Sequence, residues 1–325
     1  MIAALEFTMP DTSTLVGRTS RGFGTTVGAW TTQPALLARL DGFISRWVTA
    51  VEAACSRFDA ASDISRANTA AGSPVRVSPV LVQAVEAALR MAAATDGLCD
   101  PTVGLSVIAA GYDRSFEVIE AEGPGQALPH RRGGAWRLVK TDRDSSTVTV
   151  PAGYALDLGG SAKGWAVDRA IEVVSGSLLP SFPGAGVCIS AGGDLAVGGR
   201  PPVGGWPVTI RERLDVSDGV PEREIQLQRG AMATSGATQR QWQRDGHAGH
   251  HIIDPATGAP GVSSWALVTT FSDSCLVADT MATAAWLLGE AAPATLEWWG
   301  VGARLLDHAG HEVLAGDLSR WVGQK

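Results

Sequence analysis

Hydrophobic residues recur at helical spacing in four long segments of the chain, and this pattern predicts four amphipathic helices. Ser78 is suited to the N-cap of the second helix and Pro79 to its first turn. Glycines follow the last apolar positions of the second, third and fourth segments, as is common after helix C-termini. The predicted helices run from Pro34 to Phe58, from Ser78-Pro79 to Gly97, from after Gly164 to Gly176, and from about Leu276 to Leu288, before Gly289.

Shorter segments alternate between apolar and polar residues or are uniformly apolar, which is typical of strands. Trp136–Lys140 and Thr147–Val150 flank a turn that contains Asp142 and Asp144, so these two segments predict a hairpin. Because strands and helices mix without strict βαβ alternation, the pattern indicates an α+β (mixed α/β) fold. The predicted strands are Trp136–Lys140, Thr147–Val150, Gly186–Ser190, Val208–Arg211, Glu224–Gln228, Trp265–Phe271 and Ala303–Asp307.

No composition shift marks a domain boundary, so we predict one domain over residues 1–325. The segment 117–134 is rich in Gly and Pro and is predicted to be a surface insertion. Of the 325 residues, 45% are hydrophobic, which supports a substantial core.

The net charge of −7 and the pI of about 5.4 argue against a general nucleic-acid binder. No Lys/Arg run is longer than Arg131–Arg132. An anionic ligand would therefore be bound locally, by a metal ion, helix N-termini and a few cations.

The N-terminal segment and the cysteines bear on the compartment. Met1–Pro10 contains Glu6 and lacks the charge and hydropathy order of a signal peptide, and no apolar run approaches the ~20 residues of a membrane helix. The four cysteines form no CxxC pair, which favours reduced, buried thiols. We therefore expect a cytoplasmic protein without membrane insertion.

Asp279 and Thr283 lie four residues apart in the fourth predicted helix, so their side chains share one face. A carboxylate and a hydroxyl are hard oxygen donors of the kind that Mg2+ takes, together with ligand phosphates and water. The alternative is a helix in which Asp279 offsets the dipole and Thr283 bonds back to the preceding turn.

A second candidate is Asp157-Leu-Gly-Gly-Ser-Ala-Lys-Gly164, which precedes the third predicted helix. Its two glycines let the backbone approach a ligand, and Lys163, unfavourable for the helix dipole, is expected to face an anion. An ordinary turn with a solvated lysine is the alternative. The spacing is neither that of a Walker A motif nor that of a Rossmann fingerprint.

A third candidate is His250-His-Ile-Ile-Asp-Pro-Ala-Thr-Gly258, where histidines precede a tight turn. Neighbouring side chains of a strand point to opposite faces, so two adjacent histidines are more often incidental than a metal pair. One of them is a candidate proton acceptor.

Taken in order, these motifs resemble those of the ApbE family, the FAD:protein FMN transferases. The resemblance runs from about Arg21 to Gly289. It implies mixed sheets flanked by helices, with the active site in a cleft between two intimately joined lobes. Its strongest parts are Asp157–Gly164 with Asp168, Ser190–Asp194 (SAGGD), Ala233–Gly236 (ATSG), His251–Gly258 and Asp279–Thr283.

The resemblance also implies roles for individual residues. Asp279 and Thr283 correspond to the family's Mg2+ ligands, and the backbone carbonyl of Gly160 to a third. His251 corresponds to the motif histidine and, with Asp279, is a candidate general base; we favour His251, because a metal-bound carboxylate is the poorer base. The implied FAD-contacting residues are Phe23, Phe58, Leu98, Cys99, Asp100, Asp157, Lys163 and Ile253.

Three apolar exchanges depart from the family pattern. Phe23 stands where Met is frequent, Cys99 where an aromatic or Met is usual, and Phe58 where Tyr can occur. These changes to a flavin or adenine wall should preserve binding. Many members also begin with an export or lipoprotein signal, which this sequence does not show.

The implied activity is Mg2+-dependent transfer of FMN from FAD to a Thr or Ser hydroxyl of an acceptor flavoprotein, with release of AMP. Two alternatives are an FAD pyrophosphatase that yields FMN and AMP, and a non-catalytic FAD-binding protein. Acceptors in this system resemble Asp-x-x-[Ser/Thr]-Gly-Ala-Thr. Met232–Thr238 of this chain reproduces half of that motif, with Met232 in place of the acidic residue, and we predict no self-flavinylation of Thr238.

Overall fold

A computed structural model describes residues 15–124, 129, 131–211, 222–237, 240–244 and 247–323. Its helices and antiparallel sheets confirm the predicted α+β class. The chain divides into two compact units. Unit 1 comprises Met1–Thr49, Lys163–Gln239 and Ser264–Lys325, and unit 2 comprises Ala50–Ala162 and Arg240–Ser263. The single domain with an insertion at 117–134 stays a prediction, and residues 125–128 and 130 of that segment lie outside the described residues.

The elements are numbered in chain order. The helices are α1 (Pro34–Cys55), α2 (Asp63–Thr69), α3 (Pro79–Ala94), α4 (Gly104–Ala109), α5 (Phe116–Glu122), α6 (Ala162–Ser177), α7 (Cys275–Leu288) and α8 (Ala292–Trp299). The strands are β1 (Val16–Gly22), β2 (Thr25–Thr31), β3 (Pro74–Arg76), β4 (Lys140–Asp142), β5 (Thr147–Thr149), β6 (Gly186–Ala191), β7 (Asp194–Gly199), β8 (Trp206–Arg211), β9 (Glu222–Leu227), β10 (Ala231–Ser235), β11 (Gln241–Arg244), β12 (His247–His250), β13 (Trp265–Ser272), β14 (Gly302–Asp307) and β15 (Glu312–Ala315).

Unit 1 is built around an antiparallel sheet with the strand order β1-β2-β6-β7-β10-β13-β14-β15. Leu36, Leu40 and Ile44 of α1 are buried and pack with β2, β6 and α6 in one cluster. Strands β8 and β9 form a separate antiparallel pair whose apolar residues join a second cluster with Phe271 of β13. The helical periodicity of α1 therefore marks the face that covers the sheet.

Two hairpin turns of this sheet coincide with glycine motifs of the sequence. In the β1–β2 hairpin, Gly22 pairs with Thr25 across the two-residue turn Phe23-Gly24. In the β6–β7 hairpin, Ala191 pairs with Asp194 across Gly192-Gly193. Two-residue hairpins need positive φ angles, which glycine adopts at little cost. The SAGGD motif is therefore a strand turn that sets Asp194 at the start of β7.

Unit 2 contains α2 to α5, the sheet β3-β5-β4 and the pair β11-β12. The predicted hairpin is present as β4 and β5, but the prediction that its first strand begins at Trp136 is wrong. Trp136–Leu138 forms a single turn of 3-10 helix in which Leu138 N donates to Ala135 O at 2.8 Å. The bulky Trp136 is buried there, which explains the strand-like apolar pattern.

The four predicted helices are present with shifted ends. Ser78 caps α3 as predicted, because its hydroxyl accepts a bond from Leu81 N at 3.3 Å. Helix α1 ends at Cys55 rather than Phe58, since the chain turns where Asp59 N donates to Ser56 O. Helix α6 begins at Ala162, before Gly164, because Ala162 N already donates to Leu158 O at 2.8 Å. In the part of the chain that the structure describes, no helix has the length and apolar character needed to cross a membrane.

Candidate functional site

A cluster of polar side chains lies in unit 1, at the first turn of α6, the second and third turns of α7, the start of β7 and the end of β10. We call Lys163, Asp194, Ser235, Asp279 and Thr283 the polar cluster. The ammonium group of Lys163 forms an ion pair with Asp194 and lies 3.7 Å from Asp279 Oδ2. The Thr283 hydroxyl lies 2.8 Å from the Ser235 hydroxyl at the end of β10. The helix face predicted from the i, i+4 spacing is therefore part of a larger polar site.

The carboxylate of Asp279 is held in an unfavourable environment. It is 3% exposed, and its Oδ2 accepts a bond from Gly164 N at 3.2 Å. Burial, and then the neighbouring Asp194 carboxylate, raise the pKa of Asp279 above its ordinary value, while Lys163 lowers it. With both carboxylates ionised, two negative charges share one ammonium, so the cluster carries a net charge of −1 that a bound cation would balance.

Close packing between α6 and α7 fixes this arrangement. A Cβ on Gly164 would lie 2.6 Å from Cys275 O and 2.9 Å from Asp279 Cβ. The glycine after Lys163 therefore allows α6 to approach α7 so closely that its backbone reaches Asp279.

Asp168, one turn further along α6, holds the N-terminus of α7. Its carboxylate accepts bonds from Ser274 Oγ at 2.6 Å, Cys275 N at 2.7 Å and Leu276 N at 2.9 Å. Burial raises the pKa of Asp168, although these bonds oppose the shift. The motif spacing marked this residue, but only the fold reveals that it anchors the helix that carries Asp279 and Thr283.

Phe23 lies in unit 1, in the β1–β2 turn. Its φ of 56° is in the left-handed region, which costs a residue with a Cβ about 1–3 kcal/mol. The ring packs against buried residues of α6, β6 and α7, including Val167 and Cys275. Backbone strain of this kind concentrates at functional sites.

A second cluster lies in unit 2 and is mainly aromatic. We call Arg57, Phe58, Tyr112, Trp242 and His251 the aromatic cluster. Tyr112 stacks on Trp242 with ring centroids 5.5 Å apart, and meets Phe58 edge-on at 5.4 Å and His251 at 6.4 Å. The Trp242 indole donates to Ala110 O at 2.9 Å. Tyr112 and Trp242 carry no sequence signal of a site, because they come from segments 130 residues apart.

Asp157 joins this cluster through an ion pair. Its Oδ2 lies 2.5 Å from Arg57 Nε, and its Oδ1 accepts a bond from Gly159 N at 2.7 Å. Asn68 fixes the preceding residue, since it accepts from Leu156 N at 2.7 Å and donates to Leu156 O at 2.9 Å. Arg57 near the start of the Ser56–Asn68 motif and Asn68 at its end therefore both hold the turn that contains Asp157.

The two histidines have different environments. His250 is buried, donates from Nε2 to Gly261 O at 2.9 Å and accepts at Nδ1 from Ile252 N at 3.3 Å. Burial lowers its pKa, which favours the neutral ring. His251 belongs to the aromatic cluster instead. Of the two, His250 is committed to the fold.

The segment Leu98-Cys99-Asp100 forms a turn after α3 in unit 2. Cys99 N donates to the Thr95 hydroxyl at 3.2 Å. The buried Asp100 carboxylate accepts bonds from the backbone and hydroxyl of Thr102 at 2.7 and 2.6 Å, and also from Gly134 N. Both carboxylate oxygens of Asp100 therefore bond to the protein itself.

The loop after His251 is equally well fixed. Ile253 is buried, pairs with Pro260 in an antiparallel bridge and packs with Trp242. The carboxylate of Asp254 accepts from Ala256 N at 2.9 Å in a tight turn. Gly258 has a φ of 74°, and a Cβ there would clash with the Arg131 backbone.

The predicted site residues thus fall into two sets. Unit 1 holds Phe23, Lys163, Asp279 and Thr283, and the last three are in one cluster. Unit 2 holds Gly160, in the turn before α6, together with Phe58, Leu98, Cys99, Asp100, Asp157, His251 and Ile253. Thr238 lies outside the described residues.

Comparison with known proteins supports one family. The model of the ApbE family matches residues 23–304. The FAD:protein FMN transferase of Treponema pallidum (strain Nichols) is 30% identical over 247 residues, which cover 70% of this chain and 65% of that protein. The FAD:protein FMN transferase of Vibrio cholerae (strain O395) is 29% identical over 253 residues, with 76% and 72% covered. The chain thus spans just under two thirds of the Treponema relative and somewhat more of the Vibrio one.

Comparison with solved structures points to the same family as the sequence comparison. The crystal structure of the ApbE protein from Thermotoga maritima MSB8 matches with a TM-score of 0.81 at 25% identity, covering 95% of this chain and all of that one. The predicted fold class is confirmed. The relatives are named as transferases, which agrees with the predicted enzyme class. The family match covers most of the sequence, and the chain belongs to the ApbE family.

Proposed function

We propose that this chain transfers FMN from FAD to a Thr or Ser hydroxyl of an acceptor protein, with Mg2+, and releases AMP. The observation that carries the proposal is the polar cluster, in which the buried Asp279 carboxylate lies 3.7 Å from the Lys163 ammonium group and the partly buried Thr283 hydroxyl lies 2.8 Å from Ser235. The names of the relatives support the overall reaction.

The donors of the polar cluster suit Mg2+. The Asp279 carboxylate and the Thr283 hydroxyl would hold the ion, and we propose the Gly160 carbonyl as a further ligand. Hard oxygen donors and few protein ligands are typical of Mg2+ sites that bind phosphates. A bound Mg2+ would neutralise charge on the pyrophosphate as the bond to AMP breaks. Among the described residues His, Cys, Asp and Glu form no metal-binding group of three or more, which fits a site completed by substrate and water.

Lys163 supplies the second positive charge. It is 23% exposed in its side chain, so the ammonium group can exchange part of its contact with Asp194 for a phosphate oxygen. In the reaction the acceptor hydroxyl oxygen forms a bond to the FMN phosphorus, the bond from that phosphorus to the AMP oxygen breaks, and the hydroxyl proton is taken up by a base. Lys163 would stabilise the phosphate charges throughout.

We propose His251 as that base, with Asp279 as the alternative. His250 is bonded at both ring nitrogens, which leaves His251 as the candidate of the two. A carboxylate that holds a metal ion is a weak proton acceptor, because the ion lowers its pKa.

FAD would be held mainly through its rings. We propose that Phe23, Phe58, Leu98, Cys99, Asp157 and Ile253 contact it, and that Asp100 acts by holding the 98–102 turn. Phe58 is 43% exposed, unusual for a ring that already packs on Tyr112, and this exposed face suits a stacked heterocycle.

The acceptor and the compartment are also proposals. We propose a flavoprotein acceptor with an Asp-x-x-[Ser/Thr]-Gly-Ala-Thr-like motif, located in the cytoplasm. Cys55, Cys99, Cys188 and Cys275 are free thiols, which suits a reducing compartment.

The deciding experiment incubates the protein with FAD, Mg2+ and an acceptor peptide. We expect a covalent addition of one FMN to the peptide by mass spectrometry, with an equal amount of AMP. Release of FMN and AMP at the same rate without peptide would favour an FAD pyrophosphatase. FAD binding without AMP release would indicate a non-catalytic flavin-binding protein. A parallel intact-mass measurement of the chain alone tests the prediction that Thr238 stays unmodified.

A further inference from the structure

Arg57 is a buried cation with an unused donor. Its side chain is 10% exposed, and Nε forms the ion pair with Asp157 Oδ2 at 2.5 Å. One of its two terminal nitrogens, Nη2, is fully buried and has no hydrogen-bond partner among the residues that the structure describes. Because arginine stays protonated in proteins, Nη2 retains two N–H donors.

The guanidinium group is surrounded by rings. Its central carbon lies 4.3 Å from the centroid of the Phe58 ring and 4.6 Å from that of Tyr112. These contacts and the Asp157 ion pair explain why a cation is tolerated here. They do not explain Nη2, since a buried donor without a partner costs about 1–3 kcal/mol or more.

Groups of this kind are rare in folded proteins and point to an acceptor from outside the chain. We infer that Arg57 is a ligand-binding residue whose Nη2 donates a hydrogen bond to an acceptor atom on a heteroaromatic ring of the substrate. The inference rests on the proposed function, because it takes FAD as the substrate.

The local charge favours a ring over a phosphate group. Asp157 already balances the charge of Arg57, so the pair as a whole is neutral and has little attraction for a second anion. A neutral carbonyl or ring nitrogen accepts from such a pair at lower cost. The exposed Phe58 ring beside it offers a surface on which the same heterocycle can stack.

FAD carries two rings with suitable acceptors, the isoalloxazine and the adenine. Each has an edge on which a hydrogen-bond acceptor lies next to an N–H donor. The Arg57–Asp157 pair complements such an edge, because Arg57 Nη2 can donate to the acceptor and the Asp157 carboxylate can accept from the N–H group. Riboflavin contains only the isoalloxazine system and AMP only the adenine, so measuring their binding separately identifies the ring system that Arg57 contacts.

The test replaces Arg57 by Lys, which keeps a positive charge for Asp157 and the rings but lacks the forked donor. We expect the Kd of FAD to rise about tenfold, which corresponds to about 1.4 kcal/mol. The Kd of either riboflavin or AMP should rise by a similar factor, and that of the other should stay within about twofold. Titrations in the presence of Mg2+ measure all three.

Arg66→Lys is the matched control. Arg66 lies in the same unit and pairs with Asp63, but its side chain is 47% exposed and Nη1 donates to Arg76 O at 3.2 Å. This variant should bind FAD, riboflavin and AMP like the wild type. Thermal unfolding without ligand, measured for both variants, separates a loss of binding from a loss of folding.

Two results of these titrations would overturn the inference. One is Arg57→Lys binding all three ligands with unchanged Kd, and another is a rise in Kd that equals that of Arg66→Lys. If Arg57→Lys does not fold, NMR spectra of the wild type with 15N-labelled arginine side chains provide the test. The inference requires that the Arg57 signal shifts when riboflavin or AMP is added, and an Arg57 signal that shifts with neither would overturn it. A wild type that binds no FAD would overturn both this inference and the proposed function. A wild type that binds FAD, together with an Arg57→Lys variant that binds FAD with the same Kd, would overturn the inference alone.

Discussion

The polar cluster of unit 1 and the aromatic cluster of unit 2 are built in different ways. The polar cluster lies on regular elements, where the first turn of α6, the second turn of α7 and a two-residue hairpin fix its charged groups. The aromatic cluster combines residues from turns with strand β11, and large rings hold it together. Regular elements position charges accurately, which suits bond breaking, and packed rings supply contact area, which suits binding.

The largest effect is expected from Asp279→Ala. The variant loses the buried metal-ligand carboxylate, and we expect FMN transfer to fall by about a thousandfold or more, while FAD binding largely survives through the ring contacts. Transfer at saturating Mg2+ and FAD titration measure the two quantities. Native transfer by this variant would remove the metal site from the polar cluster.

Asp168→Ala should act through structure. Three bonds to the N-terminus of α7 are lost, and we expect the free energy of unfolding to drop by about 2–3 kcal/mol. Denaturant unfolding measures the loss. Ser274→Ala is the control, because it removes the cap of the same helix and the hydroxyl bond to Asp168 but leaves the two backbone bonds to Asp168, and it should cost about 1 kcal/mol. Equal losses for the two variants would show that the Asp168 carboxylate adds nothing to the cap.

Lys163→Ala tests whether the ammonium group acts on the bound substrate or on the transition state. We expect the KM for FAD to rise about tenfold with kcat within about threefold, because a ground-state phosphate contact is lost. Steady-state kinetics over a range of FAD concentrations gives both constants. A fall in kcat at constant KM would instead assign Lys163 to the transition state.

The smallest effect is expected in unit 2, from the pH dependence of His250. Its folded-state pKa lies below the unfolded value near 6.5, so the unfolded chain binds more protons as the pH falls through that value. Stability is therefore unaffected above about pH 7 and is lost towards pH 5. His250→Gln should remove part of this loss, about 2 °C in unfolding midpoint. Equal pH dependence in both proteins would contradict the lowered pKa.

The sequence predicts the polar cluster better than the aromatic cluster for a physical reason. Asp279 and Thr283 meet on a helix because i and i+4 share a face, and Ser78 caps α3 by a local bond. The contact between Lys163 and Asp194 depends on how β7 enters the sheet, which no local spacing encodes. Strands β1 and β2 are not predicted for a different reason, because their hairpin turn has Phe23 at a position that normally favours Asn or Gly.

Arg57, Tyr112 and Trp242 are the extreme case. Their segments are separated by 55 and 130 residues, and each residue alone has the appearance of an ordinary surface or core position. Only tertiary packing brings a cation, a phenol and an indole together. The family resemblance identified Phe58 and His251 beside them but carried no information on these three.

The order of the strands in the sheet also has a consequence for synthesis. Strand β2 pairs with β6, which lies more than 150 residues later in the chain, and β10 can pair with β13 only after β13 has been synthesised. Such distant pairings form late, because a long intervening chain must be closed first. The residues Ala50–Ala162 leave the ribosome as one stretch, whereas Asp279 and Thr283 are made more than 110 residues after Ala162. A nascent or truncated chain that stops before α7 therefore lacks both proposed side-chain ligands of the metal ion, and the proposed chemistry can begin only after α7 has been made.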